Sequence, residues 1–508
     1  MKDETLTTPA WIPTVRRLIG VLVPLLYFPL MLRLLGQEDY GLHSMADSVA
    51  EFLMLLTFCL GAAFARRLAA GHESADPEGE RRYFGLYVKT CAAAGLLILA
   101  AGLFVSLRVT GSISSLGEEE REMLKKICLL MTVDAAVFLP FGAWQALIGA
   151  CGRDGFLQAV GLAVAVVTPC ANLAVLFLGW ASIGLVSVSI AVNLIVGAAY
   201  VLYARKRLGV SPAFAGAGPG HLRQALRSSV LPFLDLCAEL LFVPADRLIV
   251  GCVLGSLMAA VYNVGAVVSL CLAALCAAAG NRLSPCPEAE ELRAMPEKAR
   301  SALFIRRGRR QFIVLFLFLS LLAVFGRPFL RLWAGEAYAP SWGVALLTFA
   351  ALALPLLQHT GTELLHALER HRFHIAVLLC PAAVSVLLTL WLVRPWGVLG
   401  AAAATFAAHA AGAAAMNVYW HRSLGLDVPS FWKRIGRMCP APLILAVAAW
   451  FGVNALPDMG WPLLLALAAV YAALYLLLAW RFMMNARERE GAAALLRGAW
   501  ARVTGRAK

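Results

Sequence analysis

Apolar runs long enough to cross a bilayer recur along this chain, near 18–35, 44–65, 84–107, 127–149, 156–178 and 182–203. A second series lies near 229–254, 260–281, 311–332, 343–365, 374–392 and 398–419, and two more runs follow near 436–454 and 461–481. The runs are continuous, without the ten-residue alternation of barrel strands, and a helical crossing takes about 20 apolar residues. Helices satisfy every backbone polar group internally, as lipid requires, so the pattern predicts fourteen transmembrane helices. The polar segment ending at Arg16-Arg17 and the lack of a small-residue cleavage pattern make the first run a span rather than a removable leader.

Orientation follows from the cations. With the N-terminus inside, the segments on the cytoplasmic side hold 35 of the 44 Lys and Arg, while the acidic residues divide evenly. That asymmetry is the one the positive-inside rule requires. It predicts a multi-pass protein of a bacterial cytoplasmic membrane with both termini cytoplasmic.

Composition narrows the function classes. The chain is 61% hydrophobic and 15% charged, with mean hydropathy +0.76, whereas soluble domains are about half apolar and a quarter charged. A water-soluble enzyme, a nucleic-acid binder and a disordered scaffold are excluded. The net charge of +14 over 508 residues, which would suggest nucleic acid in a soluble protein, here reflects cations retained on one membrane side. The 12 cysteines stand singly, mostly within apolar runs, with no CxxC or Cys/His spacing; they read as reduced packing residues, and no metal or other cofactor is expected.

The chain also repeats itself. Leu35-Gly36 matches Leu254-Gly255, Gly149–Phe156 matches His366–Phe373, and Ile183-Gly184 matches Leu399-Gly400, with offsets of 219, 217 and 216. A near-constant offset over six spans is the mark of a parallel repeat about an axis along the membrane normal. The expected fold is therefore all-α: a polytopic membrane protein of two pseudo-symmetric six-helix lobes plus two C-terminal helices. Its divisions are 1–204 (first lobe), 205–228 (cytoplasmic linker), 229–421 (second lobe), 422–484 (two further spans) and 485–508 (basic tail). The tail carries Leu495, Leu496, Trp500 and Val503 at helical spacing among arginines, as in a helix lying on the inner surface. The Arg306, Arg307, Arg309 and Arg310 cluster fits attraction to anionic lipid.

Four stretches carry a resemblance. Arg33–Leu42 resembles the first-loop signature of bacterial polysaccharide flippases, and Asp246–Gly251 with Leu254-Gly255 and Val261-Tyr262 resembles their seventh-span signature. Gly326–Gly335 is similar to the end of their ninth span, and Tyr419–Arg422 with Gly425-Leu426-Asp427 to the segment after the twelfth. The order is kept over essentially the whole chain. It resembles the O-antigen and capsule flippases of the multidrug, oligosaccharidyl-lipid and polysaccharide exporter superfamily. That resemblance implies movement of an undecaprenyl-pyrophosphate-linked oligosaccharide from the inner to the outer leaflet. Two rocking lobes would expose a central chamber alternately, with the membrane, a polysaccharide polymerase and glycosyltransferases as partners.

Ionisable groups at membrane depth cost about 2.5–3.5 kcal/mol on insertion scales, so each needs a partner or a wet cavity. Asp235, Glu239 and Asp246 fall at i, i+4 and i+11 of the seventh span, with Arg247 adjacent; Asp47 and Glu51 are four apart in the second. Span 10 carries His359, Glu363, His366 and Arg370 on one face, and span 4 carries Asp134 and Gln145. Arg16, Arg17, Arg33 and Arg247 are candidates for a pyrophosphate headgroup, since guanidinium matches phosphate oxygens bidentately. The acids Asp47, Glu51, Asp134, Asp235, Glu239, Asp246 and Glu363, with His359 and His366, are candidates for coupling to H⁺ or Na⁺. Competing readings remain at this stage: snorkelling for Arg16-Arg17 and Arg66-Arg67, and a structural Asp246–Arg247 ion pair. Prolines within spans 1, 4, 5, 7 and 10 predict kinks there. The other functional class within the superfamily is a multidrug cation antiporter, which would use buried acids without phosphate-binding arginines. A membrane enzyme is disfavoured, because the longest external segment, near 108–126, is only about 19 residues and no catalytic motif is present.

Overall fold

The computed structural model describes residues 23, 26–73, 77–214, 219–368, 370–456, 459–486 and 488–490. Among them the regular structure is all helical, with no strand. In chain order the main helices are α1 (Leu26–Leu35), α2 (Gln37–Glu73), α3 (Pro77–Phe104), α4 (Glu118–Ala150), α5 (Asp154–Phe177) and α6 (Ala181–Tyr203). They continue with α7 (Pro219–Leu240), α8 (Val243–Leu254), α9 (Ser256–Leu283), α10 (Ala289–Ala294), α11 (Glu297–Trp333), α12 (Ser341–Leu357) and α13 (His359–Ala367). The last are α14 (His371–Ser423), α15 (Val428–Gly436), α16 (Pro440–Asn454) and α17 (Trp461–Leu478).

This is a multi-pass membrane protein, and α5 shows why. Its 24 residues make about 36 Å of helix at 1.5 Å per residue, enough for the hydrocarbon core. Only 6% of its most apolar window is buried within the protein. Val166, Val167 and Phe177 point outward, which is stable only if lipid is the solvent.

Eight helices are long and apolar enough to span, or ten if each of two bent pairs is one span, so fourteen is not reached by this measure. Three local features account for part of the gap. The first apolar run lies partly outside the described residues. Span 7 is interrupted at Leu241-Phe242, where α7 stops and Pro244 opens α8. α14 is a hairpin: Gly397 has φ 59 and ψ −142, and a Cβ on Gly400 would lie 2.2 Å from the Leu392 carbonyl oxygen, eight residues back. Ser385 and Thr405 hydroxyls are 3.4 Å apart, although 20 residues of straight helix would separate them by about 30 Å. The runs near 374–392 and 398–419 are thus the two arms of this hairpin.

The expected proline breaks occur in spans 7 and 10. Pro355 precedes a 45° bend between α12 and α13 at Gln358. Pro140 and Pro169 sit inside unbroken α4 and α5. The repeat-matched glycines Gly36 and Gly255 both have positive φ, 84 and 92, and each immediately precedes a helix.

The chain divides into two compact units, 1–264 with 371–408, and 265–370 with 409–508. In the first, Phe64, Phe84, Trp144 and Tyr200 form one core between α2, α3, α4 and α6, with Phe64 stacked on Tyr87 at 4.3 Å. Leu42, Met45, Leu124, Ile127 and Val186 form another. In the second unit, α11 packs on α12, α16 and α17. Tyr475 donates to the Ile313 carbonyl at 2.9 Å, and Phe304 stacks on Phe431 at 4.5 Å.

Close helix approach depends on one glycine in particular. A Cβ on Gly41 of α2 would lie 1.9 Å from the Ser256 carbonyl oxygen at the start of α9, a backbone atom that cannot swing away. Gly41→Ala is therefore expected to destabilise the protein by about 1–3 kcal/mol or more, the cost of overpacking. Thermal unfolding in detergent checks this; an unchanged midpoint would show that α2 and α9 can separate freely.

Candidate functional site

The break in span 7 places two adjacent charges at the start of a new helix. Asp246 lies in the first turn of α8, where the helix dipole favours a carboxylate, and its backbone N–H donates to Phe242 O at 3.0 Å. Asp246 and Arg247 are both buried, yet they do not pair with each other through any hydrogen bond.

Asp246 accepts three hydroxyls: Thr389 at 2.7 Å on one oxygen, Tyr262 at 2.9 Å on the other, and Thr405 on that same oxygen. The two threonines come from opposite arms of the α14 hairpin and Tyr262 from α9. Three helices thus converge on one carboxylate, and its oxygens with the hydroxyls form a compact all-oxygen cluster.

Arg247 uses four of its five N–H donors. Nε donates to Ser48 Oγ at 2.5 Å, Nη1 to Asp47 and Asn263 at 3.2 Å each, and Nη2 to Glu51 at 3.0 Å. Asn263 in turn donates to the Tyr40 hydroxyl at 2.6 Å. Asp47 and Glu51, one turn apart on α2, form the acidic half of this cluster. The arginine side chain is only 6% exposed, while Asp47 and Glu51 are 48% and 39% exposed. The cation is sheathed and its carboxylates face open space.

In place of the competing reading of an Asp246–Arg247 ion pair, the two charges stand in separate networks. The single face expected for Asp235, Glu239 and Asp246 is also corrected. The helix breaks between them, leaving Asp235 and Glu239 exposed on α7 while Asp246 is buried on α8. Pro244 cannot donate to the ladder and clashes with the preceding turn, which is why the i+11 spacing does not hold.

In the second unit, Glu363 of α13 receives Arg307 of α11 and lies 3.4 Å from His359 Nε2, one turn away. Arg307 also donates to Thr360 at 3.1 Å and the Ser284 carbonyl at 3.0 Å. His359 and His366 are exposed, and Arg370 is off this face: it lies beyond the end of α13 and donates to the Ser423 carbonyl at 3.0 Å. Asp134 accepts Asn193 of α6 at 2.9 and 3.1 Å, tying α4 to α6. Arg33 is exposed at the end of α1. Arg16 and Arg17 lie outside the described residues.

Sequence reading missed Ser48, Asn263, Thr389 and Thr405, lone polar residues in apolar runs, and the role of Tyr262, which stood within a quoted signature. It also assigned Arg307 and Arg309 to a lipid-facing cluster; both are buried. Arg309 makes a two-pronged contact with Glu488 at 3.1 and 3.0 Å. Burial pushes the Glu488 carboxyl up, but hydrogen bonds from Arg309 and the Asn485 N–H, with the Arg309 and Arg310 charges, outweigh it and hold the group below its ordinary value. A depressed folded value means the stabilisation is present above the unfolded value of 4.5 and is lost as pH falls through the folded one. Glu488→Gln should therefore unfold more easily than the parent at pH 7, with the two melting curves converging as pH drops below 4.5. Parallel curves across that range would remove the pair as a source of stability.

The sequence profile described as polysaccharide biosynthesis protein matches residues 10–282, more than half of the chain. The chain belongs to that family. Among solved structures, it is similar to the lipid II flippase MurJ in an inward closed conformation, with TM-score 0.70 and 11% identity, covering 92% of this chain and 98% of that one. It is also similar to an inward-facing multidrug resistance MATE transporter of the MOP superfamily, with TM-score 0.63, 12% identity and coverage of 83% and 99%. The MATE multidrug transporter DinF-BH follows at TM-score 0.55 and 13% identity, with coverage of 82% and 96%. No curated protein matches the chain by sequence. The protein is thus a polysaccharide biosynthesis family member with the fold of MurJ and the MATE transporters. The matched stretch of this polysaccharide biosynthesis protein contains both the Arg247 network and the Tyr262–Asp246 bond, whereas Arg307, Glu363 and the α14 hairpin lie beyond it.

Proposed function

We propose that this protein flips an undecaprenyl-pyrophosphate-linked oligosaccharide from the cytoplasmic to the outer leaflet of a bacterial cytoplasmic membrane by alternating access. The observation that supports this reading best is Arg247. A guanidinium held at membrane depth by Asp47 and Glu51 is a preformed phosphate receptor under lock. An arriving pyrophosphate can take over N–H donors from the two half-open carboxylates, so the resting charge stays compensated until substrate enters. Arg33, and Arg16 and Arg17 at the N-terminus, are the further headgroup candidates. A polymerase and glycosyltransferases would consume and supply the substrate, and both termini would be cytoplasmic.

Coupling to H⁺ or Na⁺ is assigned to Asp246. Its carboxylate joins α8, α9 and both arms of α14, so a change in its charge would alter the attachment of three helices at once. Hydroxyls can rotate from donating to the carboxylate to sharing a cation with it, which is why an oxygen cluster suits either ion.

The second reading is export of small organic cations, favoured by the exposure of Asp47, Glu51, Asp235 and Glu239. The two readings separate in the native host. Deletion should leave lipid-linked sugar units on the cytoplasmic side and deplete surface polysaccharide. Normal surface polysaccharide, together with raised sensitivity to cationic dyes, would overturn the flippase reading in favour of the antiporter.

A further inference from the structure

A second charged site lies in the 265–370 and 409–508 unit and shares no residue with the networks of Asp246 and Arg247. An open cavity of about 1010 Å³ is bordered by one face of α11, by Arg434 of α15 and by Asn485, Ala486 and Glu488. Lys298, Ala302, Ile305, Arg306 and Arg309 follow at the three- and four-residue steps of one helical face, and Arg310 and Arg434 complete the cationic wall.

Three carboxylates also border the cavity, and two have defined tasks there. Glu488 neutralises Arg309. Asp427 caps α15 by accepting the Ser430 N–H at 3.1 Å, and hydrogen bonds from Ser430 hold its carboxyl below the ordinary value. The third, Glu297, lies against Gly425, where an added Cβ would be 3.0 Å from its Oε2. Arg310 spends one nitrogen on the Leu283 carbonyl at 3.0 Å. Lys298, Arg306 and Arg434 are exposed, and so are Glu297 and Asp427; with five cations against three carboxylates, the lining keeps a net positive charge.

Depth says what meets that wall. On α11 the apolar run begins at Phe312, within one turn of Arg309 and Arg310. α16 starts its apolar run at Pro440, six residues after Arg434, and the helix after α17 ends its own at Met483, just before Asn485. Three chain segments therefore cross from apolar to polar sequence around this one cavity, which sets it at headgroup level. Exposed Trp432 on α15, beside Lys433 and Arg434, is the kind of interfacial anchor found there.

We propose that this cavity binds the phosphate-bearing headgroup of an anionic phospholipid of the surrounding leaflet, with Lys298, Arg306 and Arg434 as its ligands. The bound headgroup braces α11 against α15 and the segment after α17. Because the site is fixed to a membrane face, the phosphate arrives laterally from the bilayer and not from solution.

The test uses the full-length purified protein. Thermal stability is measured in nanodiscs of phosphatidylcholine alone and with graded phosphatidylglycerol, and in phosphatidylcholine with inorganic pyrophosphate added instead. Phosphatidylglycerol should raise the melting temperature saturably, with an effect that weakens at high salt. Lys298→Gln with Arg306→Gln should raise the half-saturating phosphatidylglycerol fraction about thirtyfold, since basic residues near such a surface are worth about 1 kcal/mol each and about 1.4 kcal/mol is tenfold. Arg306→Lys keeps the charge and should keep most of the response, which separates binding from misfolding. Arg205→Gln with Lys206→Gln, a basic pair elsewhere, should respond like the parent.

An unchanged response in the Lys298/Arg306 double variant would overturn the site. An equal stabilisation by pyrophosphate in phosphatidylcholine that is lost in the Lys298/Arg306 double variant, and so arises at this cavity rather than at Arg247, would overturn the lipid as its source. Neither result depends on what the protein transports.

Discussion

Arg247→Ala is expected to abolish export in a complementation assay and to lower stability as well. Removing the guanidinium strands Asp47 and Glu51, two carboxylates one turn apart, and leaves Ser48 and Asn263 without a donor. Breaking a fully buried pair by deleting one partner costs about 3–5 kcal/mol. The half-open carboxylates here reduce that toward the lower end, because water can reach them. Loss of a bidentate phosphate contact adds a binding defect on top, tenfold for each 1.4 kcal/mol or so. Arg247→Lys should restore little, because a single ammonium cannot span Ser48, Asp47, Glu51 and Asn263 together. Arg66→Ala, a cation that the charge pattern places at a cytoplasmic span end, should export normally. Equal tolerance of Arg247→Ala and Arg66→Ala at matched expression would remove Arg247 from the substrate path.

The second large effect concerns Asp246, where two substitutions should behave differently. Asp246→Ala leaves the hydroxyls of Tyr262, Thr389 and Thr405 facing a cavity, and each unsatisfied buried group costs about 1–3 kcal/mol. The variant should express poorly or melt well below the parent. Asp246→Asn keeps the volume and one acceptor, and the hydroxyls can rotate to accept from its amide, so it should fold with a loss of about 1 kcal/mol. It has no charge to titrate or to hold Na⁺. Uptake into proteoliposomes should then lose its dependence on the imposed ion gradient while substrate-induced stabilisation persists. Gradient-driven transport at the parental rate in Asp246→Asn would take Asp246 out of the coupling role.

The residues of these two experiments show how far sequence reading reaches. Asp47, Glu51, Asp246 and Arg247 were visible because a charge within an apolar run is costly enough to need a reason. Their partners carried no such flag. Thr389 and Thr405 are neutral residues in ordinary apolar runs, and only the Gly397 hairpin brings both to one carboxylate. The Asp235, Glu239 and Asp246 alignment assumed an unbroken helix; Pro244 was noted as a kink, but its consequence for side-chain direction could not be read from spacing. Arg307 and Arg309 were lost for the opposite reason. A cluster of arginines at a span end looks like lipid attraction, and burial by Glu363 and Glu488, which lie about 56 and 179 residues away in sequence, is a property of packing.

The sequence by itself determined that this chain lives in lipid and that it is helical throughout its spans. Those follow from local hydropathy and charge, which act residue by residue against a uniform solvent. Who pairs with whom was decided by the tertiary structure alone. A buried charge takes the nearest group that can replace water, and which group is nearest depends on where helices break, bend and turn back.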